Sequence, residues 1–242
     1  MKYAIIAAGE GSRLASEGIA APKPLVKVHG ECLIDRLVRV FASNAADEIF
    51  VICNEQATAV AQHLTQLETE GYEGKKLPLR HIVKSTPSSM HSFYELSRLV
   101  GESPVVLTTV DTIFREQEFS AYVENFEKAL AQGYDCMMGV TDYIDDEKPL
   151  YVATDAADDI TGFYDKYEDG IRYISGGIYG LTAPCIRILE ECMQNGVSRM
   201  RNFQRALVAG GLKLKAYPFS KVLDVDHATD VEKAEQFLES GK

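Results

Sequence analysis

The stretch Tyr3–Leu25, YAIIAAGEGSRLASEGIAAPKPL, constrains the fold more than any other part of the chain. Tyr3 to Ala8 form an unbroken apolar run of strand length, the mark of a strand buried on both faces of a parallel sheet. The run breaks at Gly9-Glu10-Gly11-Ser12-Arg13 and, after a spacer, reaches Pro22-Lys23-Pro24-Leu25. Glycines just past a strand let backbone N–H groups approach an anion where side chains would intrude. Arg13 adds a planar fork of donors and Lys23 a compact point charge. Prolines on both sides fix φ around Lys23 and limit where its ammonium can go. These residues read as a cradle for a triphosphate.

The commoner phosphate loops do not fit. A Walker A loop needs Gly-Lys-Ser/Thr after its spacer, and Gly11 is followed by Ser12-Arg13; a dinucleotide fingerprint needs a third glycine where Leu14 stands. AAGEGSRL followed by PKPL instead resembles the signature of the sugar-phosphate nucleotidylyltransferases, G-x-G-[ST]-R-[LM] and then P-K-P-[LM].

At 242 residues the chain suits one large domain, or one domain with a substrate-binding insert. The net charge of −11, with no basic run, argues against nucleic acid or an anionic membrane surface as partner. No apolar run approaches the roughly 20 residues of a membrane span. The apolar start is too short for a signal peptide and runs straight into the glycine loop. The cysteines, Cys32, Cys53, Cys136, Cys185 and Cys192, are scattered, odd in number and without a CxxC pair. That pattern fits reduced thiols in a cytoplasm and not disulfides or zinc.

Along the chain, periodicity predicts helices over 31–45, 55–69, 117–132 and near 229–239, and another starting at Ser88 or Ser89, either of which can cap it. Strands are expected at Glu48–Cys53, Leu79–Val83, Pro104–Val110 and 134–142. Strand–helix alternation over the first half implies an α/β fold: a doubly wound, mostly parallel, Rossmann-like sheet whose ligands bind beyond the strands' carboxyl ends. Gly9, Ser88 and Asp111 all fall at such ends. The rhythm then changes to short strands at Pro149–Thr154, Ile160–Lys166 and Ile171–Leu181. We therefore divide one nucleotidyltransferase domain into a nucleotide-binding half (1–140), a small β-rich acceptor-binding insert (141–182) and a closing segment (183–242). No hexapeptide repeat follows, so no acyltransferase fusion is expected.

The resemblance implies roles for particular residues. Ala7, Ala8, Gly9, Gly11, Ser12, Arg13 and Lys23 would bind the nucleotide, with Arg13 on the leaving pyrophosphate and Lys23 at the α-phosphate. Thr86, Ser88 and Ser89 stand where the family reads the base, with serines in place of its usual glycines. His91 is read as a helix residue and not as a general base. Asp111, preceded by Val110 where glycine is usual, matches a magnesium ligand. In VLDVDHATD the second ligand is Asp224 in preference to Asp226, since Asp226 suits a helix cap. Asp165 and Lys166 match an acceptor-binding Glu-Lys segment, and Ser175 and Gly176 an N-x-G-I-Y segment.

The implied activity is magnesium-dependent nucleotidyl transfer of EC 2.7.7 type, from a nucleoside triphosphate to a phosphorylated small molecule, with pyrophosphate released. A sugar 1-phosphate, as in cell-surface polysaccharide precursors, is the family's commonest acceptor. A phosphocholine-type cytidylyltransferase is the alternative, and Tyr151, Tyr164, Tyr167, Tyr173 and Tyr179 are candidates for a cage around a quaternary ammonium. From another class, a non-catalytic nucleotide-sensing module would have no need of a lysine at the α-phosphate.

Overall fold

The computed structural model describes residues 1–9 and 11–240; Glu10 of the glycine loop lies outside them. In chain order the elements are β1 (Lys2–Ala7), α1 (Ser12–Ser16), a 3₁₀ turn (Lys23–Leu25), β2 (Lys27–Val28), β3 (Glu31–Cys32), α2 (Leu33–Ser43), β4 (Glu48–Cys53), α3 (Thr58–Glu70) and β5 (Leu79–Val83). Next come α4 (Ser89–Val100), β6 (Val105–Thr109), β7 (Thr112–Ile113), α5 (Glu116–Ala131), β8 (Cys136–Thr141), β9 (Tyr151–Thr154), β10 (Ile160–Tyr164) and β11 (Tyr173–Leu181). The remainder is α6 (Ala183–Gln194), α7 (Met200–Ala209), β12 (Leu214–Phe219), β13 (Leu223–Asp224) and α8 (Ala228–Glu239).

The apolar runs form the interior of a nine-stranded sheet ordered β10-β9-β11-β6-β1-β4-β5, with β8 and β12 joined to it through β11. β1 pairs in parallel with both β4 and β6, so Tyr3 to Ala7 are fully enclosed. Alternation along β1 sends Tyr3, Ile5 and Ala7 into one core, beneath α2, α3, α5 and α8, and Ala4 and Ile6 into the other, beneath α4, α6 and α7. The fold is thus the doubly wound α/β sheet that the sequence implies, with helices on both faces.

The late strands do not form a separate layer. β11 runs antiparallel between β6 and β8, and β9 and β10 extend the same sheet from its side. A β-bulge between Ser175 and Ile178 interrupts the β11–β8 register at Gly176 and Gly177. It bends the strand where the sheet opens into the cleft. A second small ribbon, β7 with β13, pairs Asp224 with Thr112 and Leu223 with Ile113. Through it the residues after β6 meet the residues before α8. No helix among the described residues is long and apolar enough to cross a membrane.

Candidate active site

Lys23 is the centre of the site. Its ammonium donates to Asp111 Oδ2 at 2.5 Å and to Asp226 Oδ1 at 2.5 Å, and Arg13 Nη1 reaches Asp226 Oδ2 at 3.0 Å. Burial pulls the Lys23 pKa down, but Asp111 and then Asp226 outweigh it and the net shift is upward, so the lysine stays charged.

The glycine loop explains how Lys23 is held. Gly11 has φ +60, and a Cβ there would lie 3.0 Å from the Lys23 Cβ. A glycine is needed for the loop to close on the 3₁₀ turn that presents Lys23. Gly9 differs: a Cβ there would meet nothing within 4 Å. Its missing side chain leaves open the space above the loop, as a close-lying ligand requires.

Two cavities adjoin this cluster. One, of about 320 Å³, is lined by Ala8, Gly9, Lys23, Asn54, Thr86, Ser88, Ser89 and Asp111, at the carboxyl ends of β1, β4, β5 and β6. The other, of about 260 Å³, is lined by Arg13, Ser175, Gly176, Asp224, Asp226 and the acidic segment Asp145-Asp146-Glu147. Lys23 and Asp111 belong to the first, Arg13 and Asp226 to the second.

Most of the nucleotide residues expected from sequence meet in the first cavity. Ala7 lies behind it in the core, Ser12 opens α1, and Arg13 faces the second cavity. Ser88 occupies the N-cap position of α4 without capping it. Its hydroxyl is engaged instead by His91 Nδ1 at 2.8 Å and by the Arg199 N–H at 3.4 Å. His91 thus braces the loop that carries Ser88 and Ser89. Asn54 was missed in the sequence reading, although it follows the EIFVIC strand as Asp111 follows β6. Its amide donates to Ala8 O, and its Oδ1 accepts from Gln56 N–H and the Ser85 hydroxyl.

Asp226 does not serve as the helix cap. Asp230 Oδ2 accepts from the N–H groups of Asp226 and His227, and Glu17 accepts from the Ala228 N–H. The Asp226 carboxylate is thereby left for Lys23 and Arg13. The Asp224 carboxylate has no hydrogen-bond or ion-pair partner among the described residues. Burial on the cleft floor, then the charges of Asp111, Asp226 and Asp146, push its pKa well above the usual carboxylate range, with Lys23 opposing. Its side chain keeps exposed surface in the cleft, where the neighbouring carboxylates act on it in addition to lost hydration.

These carboxylates suit a hard cation. Asp111 Oδ1 is buried without a hydrogen-bond partner among the described residues, a costly state for a carboxylate oxygen unless a cation or donor joins it. Among the described residues no group of three or more His, Cys, Asp or Glu could hold a metal by itself. Magnesium is commonly bound by one or two carboxylates together with waters and substrate phosphates, and the Asp111–Asp224 pair fits that mode.

Of the residues expected to bind an acceptor, Ser175 and Gly176 line the second cavity, with the Ser175 hydroxyl accepting from Gln204 Nε2 at 3.0 Å. Asp165 and Lys166 are not in its lining. Asp165 is held by Arg201 at 2.5 Å and Arg205 at 2.8 Å, an ion-pair set that ties the end of β10 to α7. No tyrosine cage surrounds the cavity: Tyr173 and Tyr179 are buried in the core, and Tyr151 stacks edge-on with Tyr167 elsewhere.

A doubly wound sheet with a phosphate-type loop at the end of β1 and a lysine set among carboxylates defines a nucleotide-binding α/β protein. The nucleotidyl transferase family model matches residues 2–241, and the chain belongs to that family. It is 24% identical over 233 residues to a bifunctional GlmU protein of Alkaliphilus metalliredigens, and 26% identical over 243 residues to a bifunctional IPC transferase and DIPP synthase of Aquifex aeolicus. These alignments cover 93% and 97% of this chain but 48% and 51% of the relatives, so the chain spans about half their length. Among solved structures, a Bacillus anthracis protein described as a candidate glucose-1-phosphate thymidylyltransferase superposes with a TM-score of 0.82 at 19% identity, covering 98% of this chain and 95% of that one. The inositol-1-phosphate CTP transferase of T. maritima gives 0.75 at 19% identity, covering 99% and 96%. At such identities the structures establish the shared fold.

Proposed function

We propose that this protein transfers a nucleoside monophosphate from a nucleoside triphosphate to a small phosphorylated acceptor, releasing pyrophosphate. The observation that carries the reading is the position of the Lys23–Asp111–Asp226 cluster, with one cavity on the glycine-loop side and a second on the bulged-strand side. The triphosphate occupies the first and the acceptor the second, so their phosphates meet at the lysine. An acceptor phosphate oxygen forms a bond to the α-phosphorus as the bond to the pyrophosphate oxygen breaks. A phosphate monoester, with a second pKa of about 6, is already largely dianionic at neutral pH. No side chain needs to remove a proton, and catalysis rests on positioning and charge neutralisation.

Lys23 lies against the α-phosphate, and Arg13 takes the departing pyrophosphate. Asp111 and Asp224 would hold magnesium, which supplies Lewis-acid neutralisation of the phosphate oxygens when bound. Thr86, Ser88, Ser89 and Asn54 line the space for the base and ribose. The setting is cytoplasmic, in keeping with five free cysteines.

The leading acceptor is a polyol phosphate: a sugar 1-phosphate, or an inositol phosphate of the kind named for the T. maritima protein. One observation favours a second reading, the phosphocholine type. The acceptor cavity is lined by Asp145, Asp146, Glu147, Asp224, Asp226 and Asp230 against Arg13, His227 and Lys233, a lining that attracts a positively charged head group.

Pyrophosphate release, measured with each common nucleoside triphosphate against glucose 1-phosphate, N-acetylglucosamine 1-phosphate, inositol 1-phosphate and phosphocholine, separates these readings. Turnover with one pair is expected. Failure of every pair, with triphosphate binding intact, would assign the chain to nucleotide sensing. Lys166, which has no ion-pair partner among the described residues, is proposed to reach the acceptor phosphate from outside the cavity wall. Lys166→Ala is expected to raise the KM for acceptor about tenfold, on the scale of one charge-assisted contact, and to spare that for nucleotide. Equal rises in both would remove Lys166 from the acceptor site.

A further inference from the structure

We infer that Asp226 is a counter-ion that withholds Lys23 and Arg13 from a triphosphate until a divalent cation arrives with it; the inference rests on the nucleotide site proposed above. Each oxygen of this carboxylate is committed: Oδ1 to Lys23 at 2.5 Å and Oδ2 to Arg13 at 3.0 Å. Those are the two cations the reaction assigns to the phosphates. A metal-free triphosphate must therefore break two ion pairs to engage them. It would leave Asp226 beside Asp111 and Asp224 with no positive charge among the three. Like charges gathered in one site disfavour one another.

A triphosphate carrying a divalent cation meets no such penalty. With a divalent cation supplying the positive charge at the carboxylates, Lys23 and Arg13 could pass to the phosphates, and the site would exchange one set of ion pairs for another. Asp226 thus acts through Lys23 and Arg13, as a positioning residue that couples nucleotide binding to the metal.

The joint that carries these contacts does not depend on Asp226. Glu17, the residue that ends the short helix carrying Arg13, accepts from His227 Nδ1 at 2.6 Å and from the Ala228 N–H at 2.7 Å. Asp230 fixes the backbone N–H groups of Asp226 and His227. Helix α1 and the turn before α8 are therefore held together by other residues, and an isosteric amide at 226 preserves the frame.

The test is calorimetric titration of wild type, Asp226→Asn and Asp226→Ala with tripolyphosphate and with each common nucleoside triphosphate, in EDTA and in magnesium. Thermal melting confirms that the variants fold. The expected result is about tenfold tighter binding of metal-free triphosphate by both variants, on the scale of one close charge–charge coupling, and a smaller gain on adding magnesium than in wild type. Metal-free affinity equal to or weaker than that of wild type, with magnesium-dependent binding retained, would overturn the role of Asp226 and leave the nucleotide site standing. Wild type that binds no triphosphate under either condition would overturn the nucleotide site itself. Arg13→Ala marks the difference, since it is expected to weaken metal-free binding if the cations are the receptors.

Discussion

Asp111→Asn is expected to lower kcat by about 10²–10⁴-fold while leaving the melting temperature nearly unchanged. Asp111 makes two contributions. Its Oδ2 fixes the Lys23 ammonium at 2.5 Å, and its Oδ1 is a buried acceptor without a hydrogen-bond partner among the described residues. An amide of the same shape removes the negative charge that a hard cation requires and weakens the restraint on the lysine. Losing several kcal/mol of transition-state charge stabilisation corresponds to roughly two to four decades in rate. The remaining activity should no longer respond to magnesium concentration in the wild-type range, which a titration of rate against metal will show. The same substitution at Asp224, whose carboxylate has no partner of its own among the described residues, should share this loss. Near-normal turnover with an unchanged metal requirement in Asp111→Asn would exclude this carboxylate from the chemistry.

Lys23→Ala should lower kcat by about 10²–10³, the scale for removing one preorganised electrostatic donor at a centre of developing charge. The lysine is only 10% exposed and is gripped by two carboxylates, so its position is set before any ligand arrives. Triphosphate affinity should change much less, since Arg13 and the metal continue to hold the β- and γ-phosphates. Rapid-quench measurement of a single turnover isolates the chemical step from product release. A variant with normal single-turnover rate and only a raised nucleotide KM would mean that Lys23 binds the ground state and transition state alike.

The first half of the fold was legible in the sequence because its information is local. Six-residue apolar runs specify buried parallel strands, and the 3.6-residue periodicity of Leu33, Ile34, Leu37, Val38 and Phe41 specifies the helix that covers them. Gly11 must be small because Lys23 sits against it, and both lie in one 23-residue stretch whose motif announces the contact. Asp111 was visible at the end of an interior strand by the same reasoning that applies to Asn54, which was overlooked.

Which charges finally meet was decided by tertiary structure. Lys23 reaches Asp226 across 203 positions of chain only because the β7–β13 ribbon brings the segment before α8 against the residues after β6. Local pattern made Asp226 a fitting cap, and the family resemblance made Asp165 a candidate acceptor ligand. In the fold Asp230 and Glu17 take up the N–H groups at the start of α8, and Arg201 and Arg205 take Asp165. Likewise the Asp145–Glu147 segment becomes an acidic wall only when β11 enters beside β6 and turns its bulge toward the cleft. Periodicity is a property of neighbouring residues, so the sequence alone determined the main strands and helices, the sheet class and the glycine turn after β1. Ion-pair partners depend on the register of distant strands, a long-range property that only the folded chain settles.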